Sequence, residues 1–332
     1  MPGTILVTGG AGYIGSHVVR RLGERGERLV ILDDLSTGNR DAVLHGDLVV
    51  GSAGDFHLVQ SLIRDYAVEA VLHFAASTVV PESVEQPLAY YRNNTLATHA
   101  LLEACADSGI NIFIFSSTAA VYGLPEEVPV AEDAPTRPIN PYGSSKLASE
   151  WMIQDLAEAS DLRHITLRYF NVAGCEPEGR IGQSTPDAHL LIKVASEVAL
   201  GKRDHLAIYG TDYPTRDGTG VRDYIHVEDL ADAHLRALDH LRVGGASAVL
   251  NVGYGHGATV REVLDTVQRV HGRTLPIQEA GRRAGDPATL IAQADKIQRV
   301  LGWQPHYDDL ELIVRTALDW ESRMSGKGGG ND

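Results

Sequence analysis

The twelve residues Thr4-Ile-Leu-Val-Thr-Gly-Gly-Ala-Gly-Tyr-Ile-Gly15 constrain the fold more than any other stretch of the chain. An apolar run ends in glycines at 9, 12 and 15, and a helical pattern opens at Ile14. In a strand–turn–helix of this kind, the glycines permit a tight turn and let backbone approach a diphosphate. The helix N-terminus supplies free N–H donors and the positive end of its dipole. Asp33 closes the next apolar run, Leu29–Leu32, eighteen residues beyond Gly15. A carboxylate there accepts hydrogen bonds from the adenosine ribose hydroxyls and repels a 2′-phosphate, which favours NAD over NADP. Asp34 adds a second negative charge. The competing reading is a structural glycine turn, but the flanking strand, the helix and the acid together favour the nucleotide.

Apolar runs continue through the first half of the chain at Val71–Phe74, Ile112–Phe115 and Ile165–Leu167. They lack a polar alternate face, as expected of parallel strands covered on both sides. Between them, Ile14–Glu24, Leu88–Ser108 and Tyr142–Ala159 carry apolar positions at helical spacing. A β-α-β-α series implies a doubly wound parallel sheet. After about residue 175 the texture changes. Segments 176–188 and 209–220 read as loops, Arg222–Val227 as a strand leading into a helix, and Leu250–Val252 as another strand. The expected division is a dinucleotide-binding domain over 1–175, with 223–252 returning to it. A smaller α/β domain over 176–324 caps the carboxyl ends of the strands, where open α/β sheets bind ligands. The Gly-rich tail 325–332 is expected to be disordered.

A net charge of −15 argues against a nucleic-acid surface, which needs clustered Lys and Arg. The two cysteines, Cys105 and Cys175, form no C-x-x-C pair, so neither a disulfide framework nor a metal site is expected. There is no basic-then-apolar leader, and no apolar run reaches the ~18–20 residues that span a bilayer. A reduced, cytoplasmic setting is the expectation.

Tyr142 and Lys146, in Tyr-Gly-Ser-Ser-Lys, are one helical turn apart and share a helix face. A nearby ammonium, together with the charge of a bound nicotinamide, stabilises a phenolate, so the tyrosine's pKa is expected to fall towards neutral pH. Ser116, Ser117 and Thr118 end a central strand, where a hydroxyl can reach a substrate. On its own, Y-x-x-x-K is common on helix surfaces. Its combination with the glycine turn and this strand end gives it chemical meaning, namely removal of a proton and a hydride from a secondary alcohol.

These motifs resemble the extended short-chain dehydrogenase/reductase superfamily and, within it, the UDP-glucose 4-epimerase family. The likeness runs over nearly all of residues 3–322. It is carried by Thr8–His17, Tyr90-Tyr-Arg-Asn-Asn94, Phe113–Thr118, Val121-Tyr-Gly123, Leu167-Arg-Tyr-Phe-Asn171, Leu206–Gly210 and Asp212–Thr215. Asp217-Gly-Thr-Gly-Val-Arg-Asp-Tyr-Ile-His-Val227 is the most diagnostic run. The resemblance implies a Rossmann sheet with a smaller α/β substrate-binding domain, bound NAD, a UDP-sugar substrate and a homodimer formed through helices of the sheet domain. It implies interconversion of UDP-glucose and UDP-galactose by transient oxidation at C4.

By the same resemblance, Tyr142 is the acid/base on the sugar 4-hydroxyl, with Lys146 and Thr118 assisting. The cofactor set is Gly9, Gly12, Tyr13, Ile14, Gly15, Asp33, Asp34, Phe74, Ala75, Ala76, Asn93, Asn94, Ser116, Tyr142, Lys146 and Tyr169. Substrate contacts are Thr118, Tyr142, Phe170, Asn171, Tyr209, Arg222, Arg283 and Asp286. The two arginines would clamp the diphosphate, Asp286 would bind the uridine ribose, and His226 is expected to be structural.

The chain departs from the family at Ser52, where a carboxylate is expected, at Thr78, where several relatives have lysine, and at His189-Leu190. Leu290, near the sugar 2-substituent, is neither the bulky nor the small residue of different relatives. UDP-xylose/UDP-arabinose 4-epimerisation uses the same residues and stays open. A nucleotide-sugar dehydratase is disfavoured, since Thr118 is followed by Ala119-Ala120 rather than an Asp-Glu pair. A silent dinucleotide sensor would have no use for Tyr142, Lys146 and Thr118 together.

Overall fold

The structure is a computed structural model that describes residues 3–185, 188–283 and 285–327. Its centre is a seven-stranded parallel sheet. In chain order the first six strands are β1 (Thr4–Thr8), β2 (Arg28–Asp33), β3 (Asp47–Val50), β4 (Val68–His73), β5 (Ile112–Thr118) and β6 (Arg163–Tyr169). The seventh, Ala248–Val252, adds outside β6. Across the sheet the order is Ala248–Val252, β6, β5, β4, β1, β2, β3. The chain thus builds outward from β1 in one direction and then the other. The strand order reverses between β1 and β4, and the crevice at such a reversal, beyond the carboxyl ends, is where open α/β sheets take ligands.

All residues of β1 and β5 are buried, because helices cover both sheet faces. On one face Val18, Val19 and Leu22 of helix α1 (Tyr13–Glu24) pack with Leu230, Leu235, Leu238 and Leu241 of helix Val227–Arg242. On the other, Val59, Leu62, Leu101, Leu102 and Ile153 come from helices Phe56–Tyr66, Ala97–Asp107 and Pro141–Ala159. Burying each such aliphatic side chain contributes roughly 1.5–3 kcal/mol. A separate core, with Ile192, Ala195, Leu264, Val267, Val314 and Leu318, organises the smaller lobe.

Three elements differ from expectation. The helix expected at Leu88–Ser108 arrives as Pro87–Tyr90, a π-helical stretch Tyr91–Leu96, and Ala97–Asp107. Within the widened turn, the buried Asn94 reaches both Ser77 and Ser145. π-turns of this kind gather at functional sites.

The strand expected at Arg222–Val227 breaks at Asp223. Val221–Arg222 pairs with Ala258–Thr259, while Tyr224–His226 pairs with Asn171–Ala173. The buried Asp223 carboxylate takes the amides of Tyr254, Gly255 and Ala292, which locks this change of partner. Finally, helix Leu310–Lys327 runs into the segment expected to be disordered, with Ser325 Oγ bonded back to the Glu321 carbonyl. The rest of that tail, 328–332, lies outside the described residues.

Candidate active site

The glycine turn has no room for side chains. A Cβ on Gly9, at φ +71°, would lie 2.4 Å from the Ala75 amide nitrogen, and one on Gly15 would lie 2.2 Å from the Gly9 carbonyl oxygen. Gly12 caps α1, so the first-turn amides of the helix face outward without intrahelical acceptors. This is a bare backbone cradle of the kind a diphosphate fills. Asp33 ties the cradle to β2: its carboxylate accepts from the amides of Ala11 and Leu35, each at 2.9 Å. Burial raises its pKa above the ordinary carboxyl value despite these bonds. Asp34 is exposed and caps Ser36 through that residue's amide and hydroxyl.

Asn140 and Pro141 start the helix that carries Tyr142. Asn140 Oδ1 accepts the Gly143 amide at 2.8 Å, and proline suits the first helical position. A Cβ on Gly143 would meet the Ala120 carbonyl oxygen at 2.6 Å, so glycine beside Tyr142 lets the helix seat against the end of β5. There the buried Tyr142 lies beside Thr118, whose Oγ1 accepts the Ala120 amide at 3.1 Å.

Lys146 Nζ donates to the Ser116 carbonyl oxygen at 2.9 Å and lies 4.7 Å from the centre of the Phe115 ring. Burial lowers its pKa to about 7, against the pull of Glu150. The expected lowering of the Tyr142 pKa is not a property of the protein groups alone. Burial raises it, and only Thr118 acts the other way. A low-dielectric pocket disfavours phenolate and ammonium alike. The positive charge of an oxidised nicotinamide is the further influence that would favour the phenolate.

One cleft of about 1800 Å³ connects the cradle to this centre and continues into the smaller lobe. Its far wall carries Asn171, Tyr209, Arg222, Arg283 and Asp286. Arg222 Nη2 pairs with Asp286 Oδ1 at 2.5 Å, and the Arg283 guanidinium stacks 3.7 Å over the Tyr209 ring. The two arginines are therefore placed in advance, and a bound nucleotide would compete with the Asp286 pairing.

The NAD dependent epimerase/dehydratase family matches residues 5–253. A UDP-glucose 4-epimerase of Azospirillum brasilense is 57% identical over 96% of this chain and 92% of its own. The chain belongs to the NAD dependent epimerase/dehydratase family. A crystal structure of a UDP-glucose 4-epimerase from Brucella ovis in complex with NAD superposes with TM-score 0.93 at 44% identity, covering 96% of this chain and 98% of that one. A UDP-glucose 4-epimerase from Bifidobacterium longum in complex with NAD+ and UDP superposes with TM-score 0.92 at 35% identity, over 96% and 98% of the two chains.

The cradle fits the NAD of this epimerase/dehydratase family. Tyr13, Ile14, Phe74, Ala75, Ala76, Asn93, Tyr169 and Phe170 line the same cleft. Asn94 and Ser116 do not; they lie beneath it. The Asn94 amide is spent on Ser77 and Ser145, and Ser116 Oγ faces His234 Nε2 at 3.2 Å. Ser52, Thr78, His189, Leu190 and Leu290, where the sequence departs from the family, all line the cleft. His226 caps its helix, accepting the Glu228 amide at 3.1 Å.

Sequence reasoning missed Arg92, a cleft cation within the Tyr90–Asn94 run that it had singled out. It also missed Glu150 and Arg168. Glu150 continues the helix face of Tyr142 and Lys146, and Arg168 is a charge inside an apolar strand. Both signals were present.

Proposed function

We propose that the protein interconverts UDP-glucose and UDP-galactose by 4-epimerisation. The observation that carries this reading is the continuity of one cleft, from a bare backbone cradle, past Tyr142 and Thr118, to Arg222, Arg283 and Asp286. NAD supplies the hydride acceptor and donor at C4. Tyr142 takes the proton of the sugar 4-hydroxyl, with Thr118 aligning the two oxygens and the Lys146 ammonium stabilising the phenolate. Arg222 and Arg283 hold the diphosphate and Asp286 the uridine ribose, so the nucleotide stays anchored while the flat keto sugar turns over. Tyr142 then returns its proton to the C4 oxygen, while the hydride held by the cofactor would go back to the opposite face of C4 and so invert that centre. Residues 1–175 with 223–252 form the cofactor lobe in this reading, and 176–324 the sugar-nucleotide lobe.

Leu88 and Trp151 are 76% and 56% exposed on helices of the sheet domain, outside the cleft, which supports a homodimer through this layer. Among the described residues no helix is long and apolar enough to cross a membrane, and a cytoplasmic enzyme is proposed.

The test is a nucleotide-sugar panel with the purified holoenzyme, assayed for 4-epimers and for released NADH, with light scattering for the oligomer. UDP-galactose should give UDP-glucose without stoichiometric NADH. Epimerisation confined to UDP-xylose would replace the hexose reading with the pentose one. Net oxidation would overturn both.

A further inference from the structure

We infer that Glu150, braced by Arg168, is a positioning residue for this reaction, acting through Lys146 and through the Ser117–Thr118 strand end rather than on substrate. This rests on the roles given above to Tyr142, Lys146 and Thr118.

Glu150 follows Lys146 by one helical turn and Tyr142 by two, on the same face. It is 2% exposed. Ser117 Oγ donates to its Oε1, so the residue before Thr118 is tethered to the helix that carries Tyr142. Arg168 Nη2 donates to Glu150 Oε2 at 2.6 Å, and Nε lies 3.1 and 3.2 Å from the two carboxylate oxygens. The remaining guanidinium donor, Nη1, reaches the Tyr122 hydroxyl at 3.0 Å and the Glu132 carbonyl at 3.2 Å. Tyr122 donates in turn to Asn251 Oδ1 at 2.6 Å. The network therefore spans β5, β6, the edge strand and the catalytic helix, with its charges paired. A buried ion pair is seldom more stabilising than apolar residues of the same volume. Stability alone is thus a weak reason for placing one here.

The other titratable groups around Lys146 are neutral at working pH. From β4, His73 is held down to about 3, chiefly by burial and then by Lys146 itself. From helix Val227–Arg242, His234 is lowered by burial to about 4. Tyr169 from β6, Tyr122 behind Arg168 and Tyr90 beside Tyr142 are all raised by burial. Glu150 is then the charge left to act on Lys146, with the Arg168 guanidinium paired behind it, and the carboxylate favours the ammonium form.

The ammonium is the form that stabilises the phenolate, so turnover should fall as pH rises past the Lys146 pKa. Glu150→Gln removes the favourable charge and should move this alkaline limb down by about half to one pH unit. Arg168→Gln removes the opposing charge and should move it up. The experiment measures turnover of UDP-galactose against pH for the holoenzyme and both variants, with bound NAD and thermal melting recorded to establish folding. Opposite shifts support the inference. Lower turnover with an unmoved limb, or shifts of the same sign, would make the pair merely structural and overturn it. Should the single variants fail to fold, the Glu150→Gln/Arg168→Gln double variant leaves no unpaired buried charge. Its limb should lie below the parent's, and an unmoved limb overturns the inference. A parent enzyme without 4-epimerase turnover would sink the functional reading instead.

Discussion

Lys146 Nζ donates to the carbonyl oxygen of Ser116 at 2.9 Å, although Tyr142 lies one turn back on the same helix face. Thr118, not Lys146, is the protein group that favours ionisation of the Tyr142 hydroxyl. The two halves of the Tyr–Lys motif thus lie against different points of one strand end. In the proposed reaction Lys146 would act on Tyr142 as a placed charge and Thr118 as the neighbouring hydroxyl.

Tyr142→Phe keeps the ring and removes the phenol. The ring sits edge-on to Tyr90, with centroids 6.4 Å apart, and that packing survives the change. Folding and NAD content should therefore hold. Turnover should fall by roughly 10²–10⁴-fold, the scale of general acid/base help. Turnover within threefold of the parent, at equal bound NAD, would remove Tyr142 from its role.

Asp33 should set cofactor choice, and the structure adds a second consequence of changing it. Its carboxylate carries the amides of Ala11, inside the glycine turn, and Leu35. Asp33→Ala removes the repulsion of a 2′-phosphate and also loosens the cradle. The variant should bind NAD less tightly, by roughly tenfold for one or two lost hydrogen bonds, and discriminate less against NADP. Reconstitution of apoenzyme with each dinucleotide reads both effects. An unchanged NAD preference would count against the placement.

Glu228 should be a strong source of acid sensitivity where helix Val227–Arg242 packs on α1. Burial alone would raise its pKa, but His17 and Arg20 outweigh burial and bring it to about 2. His17 Nδ1 lies 2.6 Å from Oε1, and burial lowers that histidine's pKa against the pull of the carboxylate. A depressed carboxyl stabilises the fold above its unfolded pKa, near 4.5, and loses that contribution as pH falls towards 2. Urea denaturation at pH 7 and pH 3 should show a smaller difference for Glu228→Gln than for the parent; equal differences would refute the assignment.

Much of this was legible in the sequence because it depends on local rules. Gly9, Gly12 and Gly15 announce a backbone approach that no side chain permits, and Tyr142 and Lys146 share a face by helical spacing alone. The inner strands of the central sheet read as unbroken apolar runs because both faces are covered, whereas the half-exposed edge strand β3 was not among the runs read. What stayed hidden depends on contacts distant in the chain. Nothing near Asp223 says that its carboxylate will collect amides from residues 254, 255 and 292 and so split a strand. Asn94 looked like a cofactor contact, but the π-turn rotates it inward to Ser145. Spacing likewise shows a charge near Tyr142, whereas the burial that raises its pKa before any cofactor charge is added is set by the whole fold.

The last prediction separates epimerisation from net oxidation. Tyr142, Thr118 and the glycine cradle share one cleft with Arg222, Arg283 and Asp286. A keto sugar anchored by its diphosphate has little chance to leave before the hydrogen taken from C4 is returned. UDP-galactose carrying deuterium at C4 should therefore yield UDP-glucose that retains the label at C4, with no NADH released in step with product. The arginines carry the retention, so Arg222→Ala should raise KM for the sugar nucleotide. It should also let a measurable fraction of keto sugar escape, leaving reduced cofactor on the enzyme and visible as absorbance near the NADH band. Mass spectrometry of the product sugar and absorbance of the enzyme read the two outcomes together. Wash-out of label in the parent enzyme would show that hydrogen transfer is not confined to one cleft. Full retention with no reduced cofactor in Arg222→Ala would show that another group holds the diphosphate while the hexose turns.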